Sequence, residues 1–197
     1  MPELRKNKAK DKLKNGELVI AVSCHDTDMI DALGASGVVD LIWVEMEHGS
    51  ATWEHLSDIS RACDLWGMTS LVRVNNNDPW LVGRALDRGG QAVVVPHVNN
   101  KEEAERLVRG GKFTPEGMRG MASSRQGLGV ADYKRKANDE VMLVGLIEDI
   151  VAIDNLDEIV TVDGIDCFMV VPGDLSQSMG PEYLDRTDHP DVQAVIE

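Results

Sequence analysis

Six short apolar runs, each followed by a stretch of helical character, constrain this chain more than any other feature of its sequence. They are Leu18-Val19-Ile20-Ala21-Val22, the run from Asp40 through Val44, Ser70 to Val74, Ala92 to Pro96, Val141 to Glu148, and Asp166 to Asp174. Each is apolar for most of its length instead of alternating, as expected of strands covered on both faces. Strict alternation with helices predicts an α/β protein built on an all-parallel sheet. Between the runs, Asp26 to Ala35 reads as a helix. Thr52 to Trp66 carries Trp53, Leu56, Ile59, Cys63 and Trp66 on one face, which makes its tryptophans core packing. Asp78-Pro79 is a cap followed by proline at the first helical position, and Asn100 with Glu103 has the spacing of a capping box. Lys6 to Asn15 predicts a short helix that lids the bottom of a barrel. Val151 to Val162, Leu175 to Met179 and the segment after His189-Pro190 are also helical. Lys112 to Tyr133, rich in Gly, Ser and Arg, reads as a long functional loop.

Pattern alone leaves an open doubly wound sheet and a closed barrel both standing. The first strand is not followed by a Gly-x-Gly-x-x-Gly turn, which weighs against dinucleotide binding, and no Walker A sequence is present. At 197 residues the chain is expected to be one domain. Its net charge of −14 disfavours nucleic acid and anionic membrane surfaces as partners, since both need a basic footprint. Cys24, Cys63 and Cys167 are far apart and lie in or beside apolar segments, so reduced thiols in or near the core are expected. With no apolar signal-like run at the N-terminus and no run of ~20 apolar residues, a soluble cytoplasmic protein is expected.

The second run ends in Glu45-Met46-Glu47-His48-Gly49, placing titratable groups where a core strand meets water. In folds made of strand–helix units, the C-terminal rim of the sheet is where ligands bind. That rim gathers Glu45, Glu47 and His48, then Arg73, Glu148 and Asp174 from later strands. Two carboxylates from neighbouring strands, completed by water, suit a hard divalent cation such as Mg²⁺ or Mn²⁺; the plainer alternative is that Glu148 and Asp174 cap helices. Arg73 inside a strand is costly to bury unless it meets an anion, either a substrate or one of the nearby acids. His48 beside Glu45 has the makings of a general base with an orienting carboxylate. His25, His55, His97 and His189 lack such company and read as structural or surface residues.

At these residues the chain resembles the HpcH/HpaI aldolase family, metal-dependent class II pyruvate aldolases typified by 2,4-dihydroxyhept-2-ene-1,7-dioate aldolase. The resemblance runs through Trp43-Val44-Glu45-Met46-Glu47-His48-Gly49, Leu71-Val72-Arg73-Val74, Asn77-Asp78-Pro79, Gly117-Met118-Arg119-Gly120, Leu146-Ile147-Glu148 and Pro172-Gly173-Asp174-Leu175-Ser176. It implies a TIM-type (β/α)₈ barrel, of which about six units are present here. The single barrel domain spanning residues 1–197 is therefore expected to be truncated before its last two strands. By the same resemblance Glu148 and Asp174 match metal ligands for Mg²⁺, Mn²⁺ or Co²⁺. Arg73, Gly173 and Asp174 match substrate-binding positions, and His48, Glu45 and Arg73 match catalytic ones. The implied partners are a 2-oxo acid, an aldehyde and further copies of the chain in a hexamer.

The implied chemistry is cleavage or formation of 4-hydroxy-2-oxo acids through a pyruvate enolate. No lysine stands at a strand end, so a Schiff-base aldolase is disfavoured. The alternatives are a CoA-thioester lyase of the citrate lyase β-subunit type and a non-catalytic barrel subunit. Three positions depart from the family pattern: Glu45 where it has Asp, Leu146 where it usually has Gln, and Val171 where it has Gly. They imply an altered substrate scope or lowered aldolase activity.

Overall fold

The structure is a computed structural model, and it describes residues 3–197. In chain order the elements are α1 (Lys8–Lys14), β1 (Ala21–Ser23), α2 (Thr27–Ala35), β2 (Leu41–Glu45), α3 (Leu56–Trp66), β3 (Thr69–Arg73), α4 (Pro79–Asp87), β4 (Ala92–Val95) and α5 (Lys101–Gly111). They continue with a 3₁₀ turn at Arg125–Gly127, α6 (Tyr133–Glu140), β5 (Met142–Ile147), α7 (Ile150–Asp154), α8 (Leu156–Ile159), β6 (Cys167–Val170), α9 (Pro172–Met179) and α10 (Pro190–Ile196). The six strands form one sheet in the order β1-β2-β3-β4-β5-β6, and every pairing is parallel. The parallel sheet is the one the alternation of runs predicted, and its sequential strands joined by helices curl into part of a barrel, as the family resemblance implied.

Two apolar layers hold the sheet. The larger lies between strands and helices and includes Ile42, Val44, Val72, Val93, Val95, Leu143 and Ile147, packed on Ile30, Ile59, Leu86, Leu107 and Ile159. The smaller fills the barrel interior with Leu41, Leu71, Ala92, Val94, Met142, Val144 and Leu146, against which Trp43, Cys167 and Val171 pack. The two sets alternate along each strand, because successive side chains point to opposite faces. All residues of β4 and β5 are buried, while Ala21 and Ser23 of β1 and Met169 and Val170 of β6 are exposed, as befits the two edges.

Helix α1 closes the end of the barrel at which the strands begin. Ala9 is fully buried in the interior layer. Asn7 caps the helix with its Oδ1 and donates its amide to the carbonyls of Gln91 and Glu140. Lys10 donates to the Val141 carbonyl at 2.7 Å and pairs with Asp166 at 3.0 Å. Between α2 and α3, Trp66 lies so close over Gly34 that a Cβ there would stand 2.2 Å from its Cγ.

Several elements depart from the sequence expectation. β1 is shorter than the apolar run, and Leu18 is exposed, because an edge strand has a neighbour on one side only. The segment 112–133 is followed by a helix, α6, that apolar periodicity gave no sign of: among its residues only Ala137 is buried. The helix expected from Val151 to Val162 is broken at Asn155 into α7 and α8, with the Asn155 side chain donating to the Asn99 carbonyl at 2.8 Å. β6 ends at Val170, so Asp174 stands in the first turn of α9 and not at a strand end; Pro172 at the helix start explains the switch. The three cysteines are free thiols; Cys63 is buried, and burial pushes its pKa up to about 12. Among the described residues, no helix is long and apolar enough to cross a membrane.

Candidate active site

Every strand delivers its last side chains to the same rim. Glu45 is the last residue of β2 and Arg73 the last of β3, and they are register partners. Glu148 follows β5 directly and is fully buried. Around the Arg73 guanidinium stand three carboxylates: Glu47 in a tight ion pair, Glu45 at 3.5 Å and Glu148 at 3.8 Å. The anion that a strand arginine requires is therefore supplied from within the chain.

Glu45 is the most heavily bonded acid of the group. Its Oε2 accepts the Trp43 indole N–H at 3.0 Å, and its Oε1 accepts the backbone amides of Glu47 at 2.8 Å and His48 at 3.2 Å. Burial pushes its pKa up, but these donors and Arg73 outweigh burial and leave it below the ordinary carboxylate range. Glu45 thus fixes the turn that carries His48, while the imidazole itself is 71% exposed, with Nε2 3.6 Å from Glu47 Oε2. Gly49 makes the turn possible: a Cβ there would lie 2.5 Å from the Glu45 carbonyl oxygen.

Glu148 is held differently. Its Oε1 accepts the backbone N–H of His97 at 2.8 Å, whereas its Oε2 is buried with no hydrogen-bond donor. Burial raises its pKa, the charge of Asp174 adds to the rise, and the His97 amide, the His97 ring and Arg73 oppose it. Arg73 Nε is likewise buried without a hydrogen-bond partner, whereas Glu47 Oε2 meets the Arg73 guanidinium as an ion pair. Asp174 and Gly173 are exposed, at the start of α9.

His97 stands beside Glu148, although its sequence context marked it as a structural or surface residue. It follows β4 in a left-handed backbone conformation (φ 53°). Its Nδ1 lies 2.8 Å from Asp149 Oδ2 and 3.5 Å from Glu148 Oε1, and Asn99 donates to the same Asp149 oxygen at 2.9 Å. Burial pulls the imidazole pKa down, but Asp149, Glu148 and Glu47 carry it above its usual value. Reading the fourth strand's end like the others would have flagged it, since His97 stands just past Pro96.

The donor set fits a hard divalent cation. Carboxylate oxygens are the preferred ligands of Mg²⁺ and Mn²⁺, and a buried carboxylate oxygen lacking a donor is what such an ion satisfies. Among the described residues no group of three or more His, Cys, Asp or Glu side chains is arranged around one point to hold a metal. A cation held at the bare oxygen of Glu148 would take its remaining ligands from a second carboxylate, water or substrate. A separate cleft of about 1020 Å³ lies along residues 113–135, at the opposite end of the barrel; Asp132 is its one acid, so it offers no comparable donor pair.

The chain and its fold have relatives among known proteins. The family model described as HpcH/HpaI aldolase/citrate lyase matches residues 18–197. The 2-dehydro-3,6-dideoxy-6-sulfogluconate aldolase of Pseudomonas putida is 41% identical over 84% of this chain and 65% of its own length. The hydroxypyruvate/pyruvate aldolase of Agrobacterium fabrum is 35% identical over 86% of this chain and 66% of its own. The chain therefore spans just under two thirds of these relatives. A crystal structure of an HpcH/HpaI aldolase from Desulfitobacterium hafniense superposes with a TM-score of 0.86 at 27% identity, covering 94% of this chain and 73% of that one.

Proposed function

The chain belongs to the HpcH/HpaI aldolase/citrate lyase family, and from that premise we propose that it is a metal-dependent aldolase. It would cleave or form 4-hydroxy-2-oxo acids through the enolate of pyruvate or a related 2-oxo acid. The observation that carries this reading is Glu148: a fully buried carboxylate with one oxygen bare, beside Arg73.

Glu148 and Asp174 are the residues that would hold Mg²⁺, Mn²⁺ or Co²⁺, and the cation would supply Lewis acidity toward the 2-oxo acid. Arg73 supplies fixed positive charge at the place where enolate charge develops, and it is held there by Glu45 and Glu47. Gly173 and Asp174 flank the substrate. His48, exposed at the lip, takes the proton from the substrate's 4-hydroxyl. The C3–C4 bond then breaks, the aldehyde leaves, and the electron pair remains on the 2-oxo acid fragment as its enolate. C3 then takes up one proton from solvent and His48 gives up the one it took, which completes release of the 2-oxo acid. Glu45 contributes by fixing the backbone of the His48 turn.

The proposed partners are the small 2-oxo acid and aldehyde, with no nucleic acid or membrane. Copies of the chain would assemble in the cytoplasm as a homo-oligomer, a hexamer by the resemblance; exposed Met118, Met121 and Leu128 offer apolar surface for such contacts. The test is pyruvate release from a panel of 4-hydroxy-2-oxo acids with Mg²⁺, with chelator, and with Glu148→Ala. Activity lost to chelator, restored by Mg²⁺ and absent in the variant supports the aldolase. Activity indifferent to metal overturns it.

A further inference from the structure

We propose that His97 is a positioning residue for Glu148, setting which one of its two carboxylate oxygens is available to a cation. This inference rests on the reading of Glu148 as a metal ligand. The His97 N–H occupies Glu148 Oε1 at 2.8 Å and leaves Oε2 bare, so the side chain offers a single oxygen instead of a chelating pair. The amide points at Glu148 because His97 takes a left-handed conformation, which a non-glycine residue adopts only at a cost and keeps only when its surroundings hold it. Those surroundings are visible. The ring is anchored on Asp149, the residue after Glu148, and Asn99 donates to the same Asp149 oxygen. Asn99 is fixed in turn: its amide N–H donates to Glu103 at 2.7 Å and its carbonyl accepts from Asn155 at 2.8 Å. The side chain therefore stabilises the backbone bend, and the bend aims the donor. Groups that orient a ligating carboxylate commonly govern metal affinity by 10–100-fold without touching the metal.

The test is Mn²⁺ binding to the purified protein by titration calorimetry, read beside the melting temperature. Four variants are compared: Glu148→Gln, His97→Asn, His97→Val and Asp149→Ala. Asn tolerates the left-handed conformation but loses the ring's anchor on Asp149, so His97→Asn is expected to weaken Mn²⁺ binding, and by less than His97→Val does. β-Branched valine resists that conformation and has no ring to anchor, so His97→Val is expected to weaken binding by at least about tenfold. Asp149→Ala removes the anchor without altering residue 97, is expected to weaken binding in the same direction, and keeps the proposal testable should His97→Val not fold. Parent-like Mn²⁺ affinity in folded His97→Val or in Asp149→Ala overturns the positioning role, with the ligand reading intact. Undiminished binding in Glu148→Gln instead overturns the ligand reading.

Discussion

Glu45 and Arg73 face each other as register partners at the ends of β2 and β3, and their side chains close to 3.5 Å. The same guanidinium pairs with Glu47 and lies 3.8 Å from Glu148. A planar, forked cation serves several carboxylates at once, and an ammonium does so poorly. Arg73→Lys is therefore expected to fold with a small loss of melting temperature and to lose about 10²–10³-fold in kcat, the cost typical of removing a donor to a developing oxyanion. Arg73→Ala strips three half-buried or buried acids of their cation and is expected to cost about 3–5 kcal/mol of stability in denaturant titration. A lysine variant with parent kinetics contradicts the role given to Arg73.

Trp43 donates its indole N–H to Glu45 from inside the barrel. Glu45 has a depressed pKa in the fold, so its contribution to stability is present above the unfolded carboxylate range, about 4.3, and is lost as pH falls through the folded value. Trp43→Phe is expected to lose about 1.5–3 kcal/mol at pH 7 for the hydrogen bond to a charged group, plus a packing cost. At an acid pH low enough to protonate Glu45 in both proteins, the hydrogen-bond part of the difference should shrink and only the packing part remain. Denaturant titrations at the two pH values check this; a pH-independent difference assigns the whole effect to packing.

Gly49 lets the chain turn back over the Glu45 carbonyl, where a Cβ would stand 2.5 Å away. The obstructing atom is backbone, so Gly49→Ala must shift the turn that carries His48. Turnover of 4-hydroxy-2-oxo acids is expected to fall about tenfold or more, as misplacing a reacting group by ~1 Å costs up to 10². Mn²⁺ affinity should be retained, because neither Glu148 nor Asp174 lies on that turn. Equal losses in both assays contradict the division of labour between His48 and the carboxylates.

Lys112 is buried at the opposite end of the barrel and donates to the carbonyls of Asn138 at 2.7 Å and Val141 at 2.9 Å. Burial first, and then the charge of Lys10, push its pKa down to about 8. An unfolded lysine titrates near 10.4, so between about pH 8 and 10.4 the unfolded state binds more protons and stability rises with pH. Relative to Lys112→Met, the parent is expected to gain on the order of 3 kcal/mol from pH 7.5 to 10.4. A difference that stays flat over that range contradicts a neutralising lysine.

Much of this fold is legible in one sequence because parallel strands covered on both faces carry their signal locally. Ala92 to Val95 and Met142 to Ile147 are apolar at each position and buried at each position. Helix α6 was not legible, since it buries only Ala137 and has no apolar stripe to read. Asp174 looked like a strand end because the apolar run of β6 continues to Val171, while Pro172 already starts a helix. In the site, the embedded Arg73 announced a need for anions, and three acids answer it. His97 stayed hidden because it acts through its backbone amide, its left-handed conformation and a contact with Asp149, 52 residues away. Residue type alone carries none of those. The departures at Leu146 and Val171 both fall at the barrel interior, where apolar side chains lie beneath the acidic mouth.

The central claim, that Glu148 and Asp174 jointly grip a divalent cation beside Arg73, is tested most directly by anomalous diffraction from crystals grown with Mn²⁺ and pyruvate. The account predicts one anomalous peak about 2.0–2.6 Å from the bare Oε2 of Glu148 and from a carboxylate oxygen of Asp174, with pyruvate oxygens on its open side and Arg73 alongside. A peak bound elsewhere, or pyruvate seated on Arg73 with no metal at the two acids, contradicts it.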